Sequence, residues 1–165
     1  MNYKFLGATL LSTSLLLAAC GDTTTDTAKK EDTKQETTKK EENKSLKIGD
    51  EVTKKDVKFK PTKAYFTDER NQFAEMKADK VLVVEMDITN NGKEDIPVGT
   101  DVTAYADGKK LENYPINETL MDSLSAGRSI SGKQGFAVVG NPKKFELEFE
   151  PFLSGEKAVY EISPK

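Results

Sequence analysis

The sequence predicts an all-β fold, an antiparallel β-sandwich of about seven strands preceded by a disordered linker. Three observations predict it. From Leu46 onward, apolar residues alternate with polar ones in short runs, the period-2 mark of strands half buried in a sheet. Turn signals separate those runs at close intervals: Asn90-Asn91-Gly92, Pro97 with Gly99, and Asp107-Gly108. No stretch after Leu46 sustains the helical period of about 3.6 residues, and short connections join antiparallel neighbours. A small barrel is the competing arrangement.

The elements follow in order. Leu46 to Asp50 opens the domain, and Val57 and Phe59 then alternate with Lys58 and Lys60. Pro61 interrupts this ladder, and Ala64-Tyr65-Phe66 puts bulk on both sides, which predicts a bulge or a change of sheet. Thr67 to Lys80 is a long polar stretch with Phe73 and Met76 set in it, and its spacing permits one helical turn. Val81 to Thr89 is the strongest strand. Leu82, Val84, Met86 and Ile88 share one face, while the other begins apolar at Val81 and Val83 and ends charged at Glu85 and Asp87. That pattern predicts a central strand buried on both sides at one end. Ile96 and Val98 form a short extended piece, and Val102, Ala104 and Ala106 line a strand that turns at Asp107-Gly108 and returns through Lys109-Lys110-Leu111. Between Asn113 and Ser125 the pattern is irregular, with Tyr114, Ile116, Leu120, Met121 and Leu124 as predicted inward anchors. Three glycines between Ser125 and Gly135 predict turns, and Phe136 to Val139 a buried strand. Phe145, Leu147 and Phe149 alternate without a fault against Glu146, Glu148 and Glu150 until Pro151, and Ala158 to Ile162 is the last strand.

The chain before Leu46 is of another kind. Lys4 precedes an apolar run from Phe5 to Leu17, too short and too diluted for a membrane span, which needs about 20 apolar residues. Residues 1–19 therefore predict an export signal. Leu17-Ala18-Ala19-Cys20 resembles the lipobox of bacterial lipoproteins, which implies a diacylglycerol on the Cys20 thiol and cleavage just before it. An ordinary secretory cleavage site with a chance cysteine is the bland alternative. Residues 20–45 comprise the lipidated cysteine and a polar tether of Thr, Lys, Glu and Asp. Such a composition cannot bury enough apolar surface to offset the entropy of ordering. A helix between Lys29 and Lys44 lacks an apolar face. Residues 46–165 form one folded domain. Extended, the tether reaches roughly 85 Å, but as a flexible coil it averages only about 25 to 30 Å.

Composition limits the chemistry. The 165 residues include one Cys and no His or Trp, so an internal disulfide and a Cys/His zinc site are both excluded. With a net charge of −3 and both signs interspersed, no single-sign field recruits nucleic acid. No cofactor is predicted.

The strand Val81 to Ile88 running into Thr89-Asn90-Asn91-Gly92, with Leu124-Ser125-Ala126-Gly127, Gly132 and Phe136 to Val139 beyond it, resembles an immunoglobulin-like domain of unknown function carried by many Gram-positive lipoproteins. Some members of that family bear a telomeric-repeat-binding label without chemical support, and the fold is similar to that of a mycobacterial secreted immunoprotective antigen. The resemblance covers most of residues 46–165 and departs at Gly140-Asn141-Pro142, where the family often has a proline directly after the strand. It implies an immunoglobulin-like sandwich on the outer face of a Gram-positive cell membrane and no catalytic residues.

Candidate sites are few. Asp68 with Glu69, or Asp50 with Glu51, could offer oxygens to calcium, though neighbours along a strand point to opposite faces. Met76, Met86 and Met121 are thioethers without the His that copper sites usually add. Ser123, Ser125, Ser129 and Ser131 lack a His base, leaving only a Ser-Lys arrangement with Lys133. Tyr105, Tyr114 and Phe73 are the aromatics nearest the surface by pattern, with core packing as the competing role, and Arg70 lies close to Phe73. Aromatics and Arg are enriched in binding hot spots. The predicted function is a non-catalytic interaction domain anchored to the membrane through Cys20, meeting an envelope protein or wall component through Asp68, Glu69, Arg70 and Phe73. A Ser/Lys hydrolase and a calcium-stabilised adhesive domain are the alternatives.

Overall fold

The computed structural model describes residues 45–165. The predicted signal segment, Cys20 and all of the tether except Ser45 lie outside the described residues. The described chain contains no helix and eleven strands: β1 Leu46–Lys47, β2 Val52–Lys54, β3 Val57–Thr67, β4 Lys80–Asn90, β5 Ile96–Val98, β6 Val102–Ala106, β7 Lys109–Lys110, β8 Asp122–Leu124, β9 Ser129–Val138, β10 Phe145–Phe149 and β11 Ala158–Ile162. The count exceeds the predicted seven because five of them have only two or three residues. One sheet has the order β1-β11-β10-β6-β7 and the other β2-β3-β4-β9, with β5 and β8 forming a separate ribbon. All pairs are antiparallel except β1 with β11, which run parallel because the opening segment docks beside the last strand rather than through a hairpin.

The sheets meet through aromatic rings. Phe59 of β3 stacks on Phe149 of β10 at 4.1 Å and meets Tyr160 of β11 edge-on at 5.7 Å. Phe66 and Phe145 make a second edge contact near the other end. The predicted inward faces, Leu82 to Ile88 and Phe145 to Phe149, join this core and are all nearly inaccessible. Burying such a side chain contributes about 1.5 to 3 kcal/mol.

β4 is central, between β3 and β9. Its second face is covered where the sequence predicts: Val81 and Val83 pack with Tyr114, Ile116 and Ala137, and Tyr65, Ala74, Met76 and Ala78 close over them. Ala74, Met76 and Ala78 come from the β3–β4 loop and Tyr114 and Ile116 from the irregular segment after Glu112, so two connections lie across the outer face of β4 and β9. The register shift between Pro61 and Lys63 is the predicted bulge. Asp107 and Gly108 both have positive φ, as a primed hairpin turn requires.

The structure corrects several expectations. β9 begins at Ser129, so Gly132 and Gly135 sit within a strand rather than in turns. A Cβ on Gly132 would stand 2.7 Å from the Leu120 side chain and one on Gly135 2.6 Å from the Tyr114 carbonyl; glycine there lets the irregular segment press against the strand. Val139 lies past the end of β9 and is 70% exposed, and Met121 is 76% exposed rather than an inward anchor, because Leu120 takes the inward position. Asn90-Asn91-Gly92 turns without positive φ: the Asn90 side-chain oxygen accepts from the Gly92 amide, an Asx turn. No helical turn forms between Thr67 and Lys80, where side-chain bonds hold the backbone instead.

Candidate functional site

The two ends of the sandwich differ. One carries the β3–β4 loop, the β6–β7 turn and the β9–β10 connection; the other carries the β2–β3 turn, the β4–β5 turn and the β10–β11 loop. The predicted contact residues belong to the first end.

Within the loop, Arg70 is exposed but folds back on the loop's own backbone. Its guanidinium donates to the carbonyls of Thr67 (3.2 Å), Glu69 (2.8 Å) and Asp79 (2.9 Å), tying the two feet of the loop together. The Glu69 carboxylate accepts from the Asn117 amide, and the Tyr114 hydroxyl accepts from the Asn71 amide at 3.0 Å. Asn71 also accepts from the Phe73 amide at 2.9 Å through its side-chain oxygen. Arg70 and Glu69 are thus positioning residues. Asp68 is exposed, and Phe73 is 82% exposed. Ala74, Met76 and Ala78 point the other way, into the second cluster. The loop therefore holds an aromatic ring out in water on a frame pinned by charge-assisted and neutral hydrogen bonds. Tyr114, a surface candidate by pattern, is buried beneath this frame. Tyr105 is half-buried.

Beside the loop lies a shallow groove of about 680 Å³ whose walls include Met76, Lys77, Lys109, Lys110 and the exposed Val139. Its lysines are accompanied by Asp107 and Glu112, so its lining carries both signs of charge beside apolar side chains.

The other candidate chemistries meet specific obstacles. Ser131 donates to Asp87 at 2.6 Å, and Lys133 pairs with Glu118 at 3.3 Å, so neither partner of the Ser-Lys arrangement is bonded to the other. Asp50 accepts from the Lys47 amide at 2.8 Å, and Glu51 pairs with Lys58 at 3.5 Å. Among the described residues no group of three or more Asp, Glu, His or Cys gathers to hold a metal. Met86 is core.

Three buried polar residues stand out that pattern reading missed. The Asn90 amide donates to the carbonyls of Glu94 (2.7 Å) and Leu124 (2.9 Å); Gln134 donates to those of Gly99 (2.6 Å) and Leu120 (2.7 Å); Asp101 accepts from the Gly99 amide at 2.9 Å. Each satisfies backbone groups of an irregular connection. They stitch the loops to the sheets, a role without any periodic signal in sequence.

The sequence profile of the family described as a domain of unknown function, DUF4352, matches residues 46–159. The chain belongs to the DUF4352 family. Solved structures agree on the fold. The presumed lipoprotein ycdA of Bacillus subtilis superposes with a TM-score of 0.60 at 19% identity over 72% of this chain, which spans only 39% of ycdA. The yjhA protein of the same organism gives 0.60 at 16% identity, covering 72% of this chain and 99% of its own. The secreted protein MPT63 of Mycobacterium tuberculosis gives 0.57 at 15% identity, covering 71% and 95%. These likenesses establish an immunoglobulin-like β-sandwich. No curated protein sequence matches the chain. Neither the family description nor these neighbours refer to telomeric repeats, so that label is without support.

Proposed function

We propose that the chain is an extracellular, membrane-anchored lipoprotein of the DUF4352 family whose sandwich is a non-catalytic binding module at the cell envelope. Cys20 would carry the diacylglycerol, and the tether 20–45 would keep the domain near the outer face of the membrane. The presumed lipoprotein and the secreted protein among its structural neighbours support the setting.

The observation that carries the binding reading is Phe73, 82% exposed at the tip of a loop whose feet are tied by Arg70. An aromatic held out on a pinned frame loses little entropy on capture, the property that makes such residues anchors of interfaces. Exposed Asp68 adds a charge to the same loop, while Arg70 and Glu69 hold the shape. The partner is an envelope protein or a wall component. A photo-crosslinking amino acid at position 73, activated in intact cells, tests this. A discrete adduct with an envelope protein or wall fragment is expected, absent when the crosslinker replaces exposed Glu75 instead; equal labelling from both positions would remove the loop as the contact surface.

A further inference from the structure

The end of the sandwich opposite the Phe73 loop carries an apolar tip that the fold itself does not use. The β10–β11 loop turns at Pro151-Phe152-Leu153-Ser154, closed by a 2.9 Å bond from the Ser154 amide to the Pro151 carbonyl. Leu153 occupies the position of this turn with φ of 53°, where glycine or asparagine is the residue without steric cost. Packing does not repay the strain: Leu153 is 81% exposed and Phe152 56%. A strained leucine and a phenylalanine side by side in water are a feature that only an apolar phase outside the domain rewards.

The path of the chain indicates which phase. β1 runs parallel to β11, with Leu46 opposite Tyr160 and Lys47 opposite Glu161. β1 therefore begins on the Ala158 side, the end at which the β10–β11 loop stands. The neighbouring β2–β3 turn is joined to that loop by a 3.3 Å bond from the Lys55 amide to Glu156. Lys157 in the loop is engaged by Glu148 and Glu150. Both signs of charge thus surround the tip, and its apolar pair sets its preference. A second copy of the chain is a poor occupant: an aromatic side chain buries at most about 150–250 Å², and a stable dimer needs about 800 Å² per partner. A bilayer held close by an anchor needs no such area, since contact is then intramolecular.

We infer that Phe152 and Leu153 dip into the lipid bilayer to which the chain is anchored, seating the domain with its β10–β11 end on the membrane and the Phe73 loop facing away. The inference rests on the anchoring reading given above. It deepens that reading by assigning a second, weaker membrane contact and an orientation.

The chain has no tryptophan, so Phe152→Trp introduces a single emitter at the tip. Val139→Trp places one on the opposite end, where the native residue is 70% exposed. Full-length protein purified from membranes is reconstituted into phosphatidylcholine and phosphatidylglycerol vesicles, with and without brominated acyl chains. The expected result is flotation of both variants with the vesicles, and a blue-shifted emission quenched several-fold by bromine for Phe152→Trp alone, persisting at high salt. Flotation with water-like emission from both would overturn the tip contact and leave the anchor intact. Failure to float would remove the anchor, and the bilayer with it. A blue shift that appears without vesicles and grows with protein concentration would assign the tip to a second copy. Leu153→Gly, which relieves the positive-φ cost, should keep the melting temperature while reducing bromine quenching of a Phe152→Trp partner in the same chain; unchanged quenching would exclude Leu153 from the contact.

Discussion

At the scale of single residues, the core contains one polar atom that burial leaves unserved. Tyr160 is fully inaccessible, and its hydroxyl is the one buried side-chain polar atom without a partner among the described residues. Burial, with Asp50 and Glu51 nearby, pushes its ionisation far up, so it remains a neutral, unsatisfied donor. Tyr160→Phe removes that group without changing the ring's edge contact with Phe59, and chemical denaturation should show a gain of about 1–3 kcal/mol. A loss would mean that the hydroxyl has a partner in solution. The Asp101 pKa is shifted in the opposite direction from that of a salt-bridged carboxylate. Burial raises its pKa, partly offset by the Gly99 amide, so the folded state binds its proton more tightly than the unfolded chain does. Its contribution is therefore full below the ordinary pKa of the unfolded carboxyl and is lost as pH rises through the higher folded value. Asp101→Asn keeps an acceptor for Gly99 and does not ionise. The melting temperature of the native protein relative to this variant should fall between pH 3 and neutrality, and a pH-independent difference would contradict the assignment. Gly132→Ala brings a methyl against Leu120 and should cost about 1–3 kcal/mol.

At the scale of elements, legibility followed periodicity. β4 and β10 were readable because Val81 to Thr89 and Phe145 to Phe149 each carry a whole face of uninterrupted alternation, and burial on one face fixes register strongly. The first half of β9 was not. Ser129 to Gly135 is polar and glycine-rich, and it is a strand because β4 pairs with it on one side while Tyr114 and Leu120 bond to its carbonyls on the other. Such pairing comes from distant residues, and no local signal reports it. The candidate loop was half legible. Its length and its aromatic could be seen, but the bonds of Arg70 to the loop's backbone depend on where Asp79 and Thr67 come to lie. Arg70→Ala should therefore loosen the loop, raising amide exchange from Glu69 to Asp79, whereas Phe73→Ala should leave exchange and stability unchanged. If both substitutions disturbed exchange equally, Phe73 would be part of the frame rather than its exposed end.

At the scale of the whole molecule, the sandwich presents an exposed aromatic at one end and a strained apolar tip at the end from which the chain enters. A chain anchored through Cys20 and approaching along β11 would present Phe73 to the envelope with no further machinery. The family match and the solved neighbours establish the fold. The account depends most on the anchor. Mass spectrometry of the mature protein recovered from the membrane fraction tests it directly: the account predicts an N-terminal peptide beginning at Cys20 with a diacylglycerol on its thiol, and Cys20→Ala protein released from the membrane. An unmodified mature N-terminus, or Cys20→Ala protein still in the membrane fraction, would contradict it.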